Sequence, residues 1–222
     1  MRRSEINIII ARAKEILKNH QFYLPEWATW KPADWKAKYG VCSEIIDNKL
    51  GWDITDFGRN EYESCGLFLF TIRNGNPAKD NKKYCEKIMV AGDNQETPMH
   101  FHWQKTEDII NRGGGNLIME LHNAARDETP ENTPVTVSID GILTTVAAGG
   151  KVVLRPGQSI CLKPFLYHRF YGEGENVLIG EVSSVNDDAG DNRFYEEVGR
   201  FPRIEEDEPP LHLLVSDYPD YI

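Results

Sequence analysis

The chain has 222 residues, of which 40% are hydrophobic, and its formal net charge is −10. This length suits one domain, and the hydrophobic share excludes wholesale disorder. The acidic charge argues against a nucleic-acid partner, which would require a basic face, and no stretch approaches the ~20 apolar residues of a membrane span. The 4 cysteines form no Cys-x-x-Cys pair, which indicates a protein of the reducing cytoplasm rather than a disulfide framework.

Helical spacing of apolar residues predicts an amphipathic helix at the start of the chain, with Ser4 near its N-cap. A basic start followed by apolar residues is also typical of a signal peptide, but charged residues interrupt the apolar run too early for one. A second helix is predicted from Asp34, a residue type that starts helices, to Lys49. Residues 1–60 are therefore interpreted as a helical N-terminal cap.

From residue 64 onward the pattern changes to short strands divided by turn residues. Strands are predicted at residues 66–72, 84–90, 116–121, 135–139, 151–154, 159–162 and 176–182. Because no helices alternate with these strands, they indicate an antiparallel sandwich or jelly-roll barrel over residues 61–190. Residues 191–222 are polar and contain several prolines, and we interpret them as an extension of the same single domain.

One segment of the predicted barrel carries ligand-type residues. His100 and His102 are one residue apart, so a β-strand places both imidazoles on the same face. Glu107 has the wrong parity for an unbroken strand, so the chain must turn before it, and Lys105 lies in that turn. His168, in a later strand, is the predicted fourth ligand. Imidazoles with a carboxylate and no thiolate favour Mn, Fe, Co, Ni or Zn, with two coordination positions left for a chelating substrate such as a sugar.

The spacing of these residues fits the first motif of the cupin superfamily, H-x-H-(x)4-E-(x)6-G, which ends here at Gly114. The second cupin motif is imperfect: the run from Pro164 to His168 is shorter than usual and has no glycine, and Gly172 stands where an asparagine is typical. The resemblance implies a mainly β protein with a cupin-type double-stranded β-helix (jelly-roll) barrel and N-terminal helical segments.

Further blocks make the chain resemble the D-lyxose ketol-isomerase family of bacterial cupins. They are residues 22–27, 96–108, 155–162, 167–172 and 180–188. The resemblance implies a metal-dependent aldose–ketose isomerase that interconverts D-lyxose with D-xylulose and D-mannose with D-fructose, with Mn2+ as the usual metal. A metal that chelates O1 and O2 would stabilise the charge that develops there, while a base moves a proton through a cis-enediol. A metal-assisted hydride shift is the alternative. By analogy with other cupins, the expected assembly is a homodimer.

Candidates for proton transfer are Glu181 and Lys105. Glu181 could equally be an outward, solvated strand residue. A polar cluster of candidate sugar-binding residues follows: Asp187, Asp188, Asp191 and Arg193. The same residues could instead serve turns and caps.

Two other functional classes fit such a barrel. A metal-dependent dioxygenase would use redox-active iron or copper, and metal analysis with oxygen uptake would reveal it. A non-catalytic sugar-binding or regulatory barrel would form no ketose. A regulator would also need a DNA-binding unit with a basic face, which the N-terminal region does not obviously contain.

Overall fold

The computed structural model describes residues 1–199 and 203–222. The helices are α1 (Arg3–Asn19), α2 (Pro32–Lys38), α3 (Ser43–Asp47) and α4 (Tyr218–Tyr221), and short 3-10 helices lie at Glu26–Thr29, Tyr39–Val41 and Val215–Asp217. The strands are β1 (Gly51–Thr55), β2 (Leu67–Arg73), β3 (Tyr84–Ala91), β4 (Glu96–Phe101), β5 (Glu107–Asn123), β6 (Val135–Ile139), β7 (Ile142–Val146), β8 (Gly150–Leu154), β9 (Ser159–Leu162), β10 (Leu166–Ser184) and β11 (Arg193–Phe194). No helix within the described ranges is long and apolar enough to cross a membrane.

Two long strands, β5 and β10, connect the two layers of the barrel. They pair antiparallel with each other along most of their length. The first half of β5 also pairs with β9 and its second half with β8, while β10 pairs with β4 at one end and with β3 at the other. One layer therefore has the order β1-β2-β3-β10-β5-β9-β6-β7, and β11, β4 and β8 belong to the other. The predicted antiparallel jelly-roll is confirmed.

The bend of β5 explains the glycine that ends the first motif. Gly114 has a positive φ of 92°, and a Cβ built on it would lie 2.0 Å from the carbonyl oxygen of Asn176 on β10. Only glycine fits where the two backbones come this close. The bend lets β5 leave one layer and continue in the other.

Two apolar clusters stabilise this arrangement. Side chains from both layers fill the barrel, among them Leu117, Met119 and Val135. The first predicted helix is present as α1, whose buried residues include Ile6 and Ile10, and it packs on the outer face of the β1–β3 layer. This burial of an apolar helix face follows directly from the spacing that predicted the helix.

The predicted helix from Asp34 to Lys49 was wrong, because two short helices occupy this segment. α2 ends at Lys38, a 3-10 turn contains Gly40, and α3 begins at Ser43. Glycine is unfavourable inside a helix. The break also allows the buried Trp35 and Cys42 to pack together against the C-terminal end of the chain.

Two of the expected boundaries also differ from the structure. β1 lies within residues 1–60 and pairs with β2, so the N-terminal cap contributes a strand to the barrel sheet. Every residue of β1 is buried, so the strand lacks the alternation that reveals a half-exposed strand in a sequence. The polar extension, residues 191–222, contains β11 and the buried side chains of Leu213 and Tyr218. The single domain stays a prediction.

Candidate metal centre

Three buried histidines converge inside the barrel. β4 carries His100, His102 follows directly after this strand, and β10 places His168 opposite His100. One ring nitrogen of each histidine lies within 4.8 Å of the others. The Nδ1–H groups of His100, His102 and His168 donate to the backbone carbonyls of Pro98 (2.8 Å), Asp191 (2.5 Å) and Leu166 (3.0 Å), respectively. With Nδ1 as the donor, the neutral form of each ring has its lone pair on Nε2, which is the form in which histidine binds a metal.

Glu107, the first residue of β5, lies beside these nitrogens. Its Oε1 is 3.2 Å from Nε2 of His168 and 3.5 Å from Nε2 of His102. Hydrogen-bond acceptors therefore face one another across the centre, an arrangement that a cation stabilises. The donor set of three imidazoles and one carboxylate fits a divalent metal of the Mn–Zn series.

The protonation of this centre also suits a metal. Burial, together with the neighbouring His168 and His102, lowers the pKa of His100 well below its ordinary value. Burial by itself raises the pKa of Glu107, but the charge of Lys105 and the contacts with His102 and His168 together outweigh burial, so the pKa is lowered. Both groups therefore offer the deprotonated forms that bind metals.

Asp191 stabilises the turn between His102 and Glu107, which was predicted because an odd number of positions separates these two residues. Its carboxylate accepts the backbone N–H groups of Gln104 and Lys105, both at 2.9 Å. The same residue accepts the His102 hydrogen bond through its carbonyl. One residue from the C-terminal part of the chain thus fixes a ligand ring and the turn that leads to the next ligand.

Lys105 points from this turn into the barrel, where it is 3% exposed. Its Nζ lies 2.6 Å from Oε2 of Glu107 and 3.0 Å from Oε1 of Glu181. Burial alone lowers the pKa of this ammonium, but the charges of the two carboxylates outweigh burial and raise it above its ordinary value. Lys105 is therefore a cation and a proton donor at neutral pH.

Sequence reasoning missed Lys87, which lies in the same cluster. Its Nζ is 3.5 Å from Oε2 of Glu181 and 3.6 Å from Oδ1 of Asp188, and it donates to Oδ1 of Asn186 at 2.7 Å. Burial lowers the pKa of Lys87, and the charges of Asp188 and Glu181 outweigh it, so that the pKa is raised. The sequence did contain a signal for this position. Lys87 is two residues from Cys85, so both side chains lie on the same face of β3, and Cys85 is buried.

These groups line a small cavity of about 60 Å³. Its polar lining includes His100, His102, His168, Glu107, Lys105, Lys87, Glu181, Asp188, Thr97 and Asn192. Aromatic side chains, Phe57, Phe170 and Phe194, contribute to its wall.

The four candidate sugar-binding residues do not all reach the cavity, and Asp191 instead serves the turn described above. Only Asp188 lines the cavity. The carboxylate of Asp187 accepts the backbone N–H groups of Ala189 and Gly190, so it serves a turn. Arg193 donates through Nε to Glu128 at 3.0 Å, in an ion pair whose side chains are both more than a third exposed. The structure brings neither of these two to the cavity.

Comparison with known proteins identifies the family. A family model described as D-lyxose isomerase matches residues 1–218. The chain is 48% identical to a D-lyxose/D-mannose isomerase of Serratia proteamaculans, over the full length of both chains. It is 49% identical to a D-lyxose/D-mannose isomerase of Escherichia coli O157:H7, over 98% of each chain.

Solved structures support the fold. An L-ribose isomerase of Cellulomonas parahominis superposes with a TM-score of 0.62 at 15% identity, over 92% of this chain and 98% of that one. An L-ribose isomerase of Geodermatophilus obscurus gives 0.60 at 13% identity, over 91% of this chain and 98% of that one. At these identities the likeness shows a shared fold only. The family model matches residues 1–218 and the two relatives each match 98% or more of this chain, which therefore belongs to the D-lyxose isomerase family.

Proposed function

We propose that the protein is an aldose–ketose isomerase that interconverts D-lyxose with D-xylulose and D-mannose with D-fructose. One observation carries the proposal: the cavity that holds the metal-type ligands also holds a second carboxylate, Glu181, in contact with the ammonium of Lys105. A carboxylate and a protonated amine are the groups that proton transfer beside a carbonyl requires. The choice of sugars follows the names of the two relatives that are nearly half identical to this chain.

We assign His100, His102, His168 and Glu107 as the ligands of a divalent metal. Mn2+ is our choice because it is the metal that the resemblance to the family implies, and Zn, Fe, Co and Ni fit the same donors. Bound there, the metal supplies a Lewis acid for the sugar oxygens O1 and O2.

Glu181 carries the proton between the two reacting carbons. Its Oε1 accepts hydrogen bonds from Lys105 and from Oγ of Ser183, both at 3.0 Å, and these contacts fix the position of the carboxylate. Glu181 takes the proton from C2 of the aldose and returns it to C1 of the cis-enediol. A proton is gained at O1 and another is lost from O2, so the composition of the sugar is unchanged.

Lys105 stabilises the charge on the sugar oxygens during this transfer. Two of its three N–H groups are engaged by Glu107 and Glu181, and the third reaches Asn186 at a long 3.4 Å. A sugar oxygen can replace this last weak contact. An ammonium that is already fixed in a buried site needs little reorganisation as the charge develops.

Ketose formation tests the proposal. The protein is stripped with a chelator, reloaded with Mn2+ and incubated with D-lyxose, D-mannose and D-xylose. We expect ketose from D-lyxose and D-mannose, loss of activity on chelation, and recovery with the metal. A manganese-loaded protein that forms no ketose from any of these aldoses would contradict the proposal, and oxygen uptake would favour a dioxygenase.

A His102→Ala variant tests the ligand assignment in the same assay. Loss of one of four ligands should lower the metal content and reduce activity by about 100-fold or more. Full metal content and full activity in this variant would overturn the assignment. The cytoplasmic location and the homodimer stay predictions.

A further inference from the structure

Among the polar atoms that line the cavity, two belong to residues outside the reaction described above and also lack a hydrogen-bond partner among the described residues. Oγ1 of Thr97 and Oδ1 of Asn192 are buried and make no hydrogen bond within the described part of the chain. Both residues line the cavity of the metal-type ligands. Thr97 is 3% exposed, so water at the protein surface does not satisfy it. Buried polar atoms without a partner are unfavourable and uncommon, and a ligand is one reason for them to persist.

A β-bulge turns Thr97 toward this cavity. In the pairing of β4 with β10, His100 lies opposite His168, and Thr97 lies opposite Phe170. Two residues of β4, Pro98 and Met99, therefore face the single residue Arg169. Without the bulge, Thr97 would point away from the face of His100, because the two are an odd number of positions apart.

Asn192 reaches the cavity from a different part of the chain. It follows Asp191, which holds the His102 ring, and precedes β11, which pairs with β4. Its backbone is thereby tied to the ligand strand from both sides. Thr97 and Asn192 thus belong to structure that also positions the metal-type ligands, and each presents an unused polar atom.

We propose that Thr97 and Asn192 bind hydroxyl groups on the non-reacting part of the sugar, beyond C2, and so select among aldoses. A threonine hydroxyl can both donate to and accept from a sugar hydroxyl, and an amide oxygen accepts from one. This inference rests on the proposed function, because it takes a polyhydroxylated substrate as the occupant. The two residues would select among sugars because a sugar that lacks the hydroxyl group leaves the buried protein atom without a partner. Binding of such a sugar is therefore unfavourable.

Substitution of Thr97 separates this role from packing. Thr97→Val preserves the shape and removes the hydroxyl, whereas Thr97→Ser preserves the hydroxyl. We expect Thr97→Val to lower kcat/KM for D-lyxose by about 10- to 100-fold, chiefly through KM, and Thr97→Ser to remain within about threefold of the wild type. Metal content should be unchanged. Thr97→Val should melt at the same temperature or higher, because it loses an unpaired buried hydroxyl.

Deoxy sugars identify the hydroxyl that is bound. The wild type and Thr97→Val are compared on the aldoses that lack the hydroxyl at C3, C4 or C5. For one of these sugars the two proteins should have equal kcat/KM, because the interaction is missing from both. Asn192→Ala should likewise have a lower kcat/KM than the wild type on D-lyxose and an equal kcat/KM on one of the deoxy sugars. An effect of Thr97→Val that is equal on all sugars, or absent, would overturn the inference.

A binding measurement keeps this test independent of turnover. The polyol formed by reduction of D-lyxose is titrated into metal-loaded wild type and Thr97→Val by calorimetry. Binding that is about tenfold weaker in the variant supports the inference even if the wild type forms no ketose, a result that would contradict only the proposed function. Equal binding, or no binding to the wild type, overturns the inference.

Discussion

Two clusters of opposite charges in this molecule, each built around buried cations, are organised differently. The barrel cluster consists of Lys87, Lys105, Glu107, Glu181 and Asp188, and the helix cluster consists of Arg3, Glu206 and Asp217. In the helix cluster, Arg3 is fully buried at the start of α1, and its Nε, Nη1 and Nη2 donate to both oxygens of each carboxylate at 2.6–2.9 Å. These donors and acceptors satisfy one another, and the cluster fastens α1 to the C-terminal part of the chain.

The barrel cluster is organised around a cavity instead. Its Glu107 carboxylate faces two imidazole nitrogens, and two polar atoms that line the cavity make no hydrogen bond within the described part of the chain. Burial of charge is therefore a poor indicator of a functional site by itself. Groups that converge on a shared space without satisfying one another are the better indicator.

The largest difference between the two clusters is expected in catalytic activity, when Glu181 of the barrel cluster is substituted. Glu181→Gln keeps the shape and removes the base, so kcat should fall about 1,000-fold while metal content stays near that of the wild type. The melting temperature should change little, because Lys105 keeps Glu107 and Lys87 keeps Asp188 as ion-pair partners. Steady-state kinetics with D-lyxose measure this. Glu173→Gln, an exposed substitution on the same strand, is the control and should keep full activity. A Glu181→Gln variant with more than a tenth of the activity would exclude Glu181 as the base.

The helix cluster should show the opposite behaviour. Arg3→Met leaves Asp217 buried without its partner and should lower the free energy of unfolding by about 3 kcal/mol, with kcat unchanged at temperatures where the variant is folded. Urea unfolding and kinetics measure the two quantities. Arg12→Met is the matched control, because the Arg12–Glu63 pair is 64% and 81% exposed, and it should change stability by less than about 0.5 kcal/mol. Activity lost in the folded Arg3→Met variant would refute the distinction.

The thiol of Cys85 is buried without an ion pair, so it tests how burial alone changes a pKa and, through it, stability. Burial raises the pKa of this thiol from 9.0 to about 12. Because the folded state holds the proton more tightly, stability is unaffected below about pH 9 and falls as the pH rises from 9 toward 12. At pH 10.5 the free energy of unfolding should be lower by about 2 kcal/mol through this thiol alone.

Denaturant unfolding at several pH values measures this loss. Burial also raises the pKa values of Tyr62 and Tyr218, so the wild type should lose stability by more than the thiol accounts for. Cys85→Ala isolates the contribution of the thiol, since its stability should fall less steeply between pH 9 and 10.5. An identical slope in this variant would mean that Cys85 titrates normally in the folded protein.

Much of the fold was predictable because strand periodicity and turn residues act locally. The strands β6 and β9 have the bounds that the sequence predicted, and β2, β3 and β8 begin and end within one residue of theirs. The long strands β5 and β10 are more than twice the length of the segments predicted for them, because the sequence signal covered only one part of each. β1 was missed because it is buried on both faces. The helix from Asp34 was wrong because Gly40 and tertiary packing of Trp35 divide it.

The residues of the site also differ in how far the nearby sequence predicts their positions. The spacing of His100, His102 and Glu107 is local, and it also required the turn that points Lys105 inward. The positions of Asp187 and Arg193 depended on which way a polar segment faces, and composition carries no such information.

The sequence by itself determined the jelly-roll, the family and the set of metal-type residues, because side-chain periodicity and motif spacing are properties of contiguous chain. Only the tertiary structure decided that Lys87 joins the cavity, that Asp191 holds the His102 ring, and that a bulge turns Thr97 inward. Each of these depends on the pairing of strands or loops far apart in the chain. The set of side chains that line one small cavity depends on how the strands of the two layers pair, because register and bulges determine the face to which each side chain points.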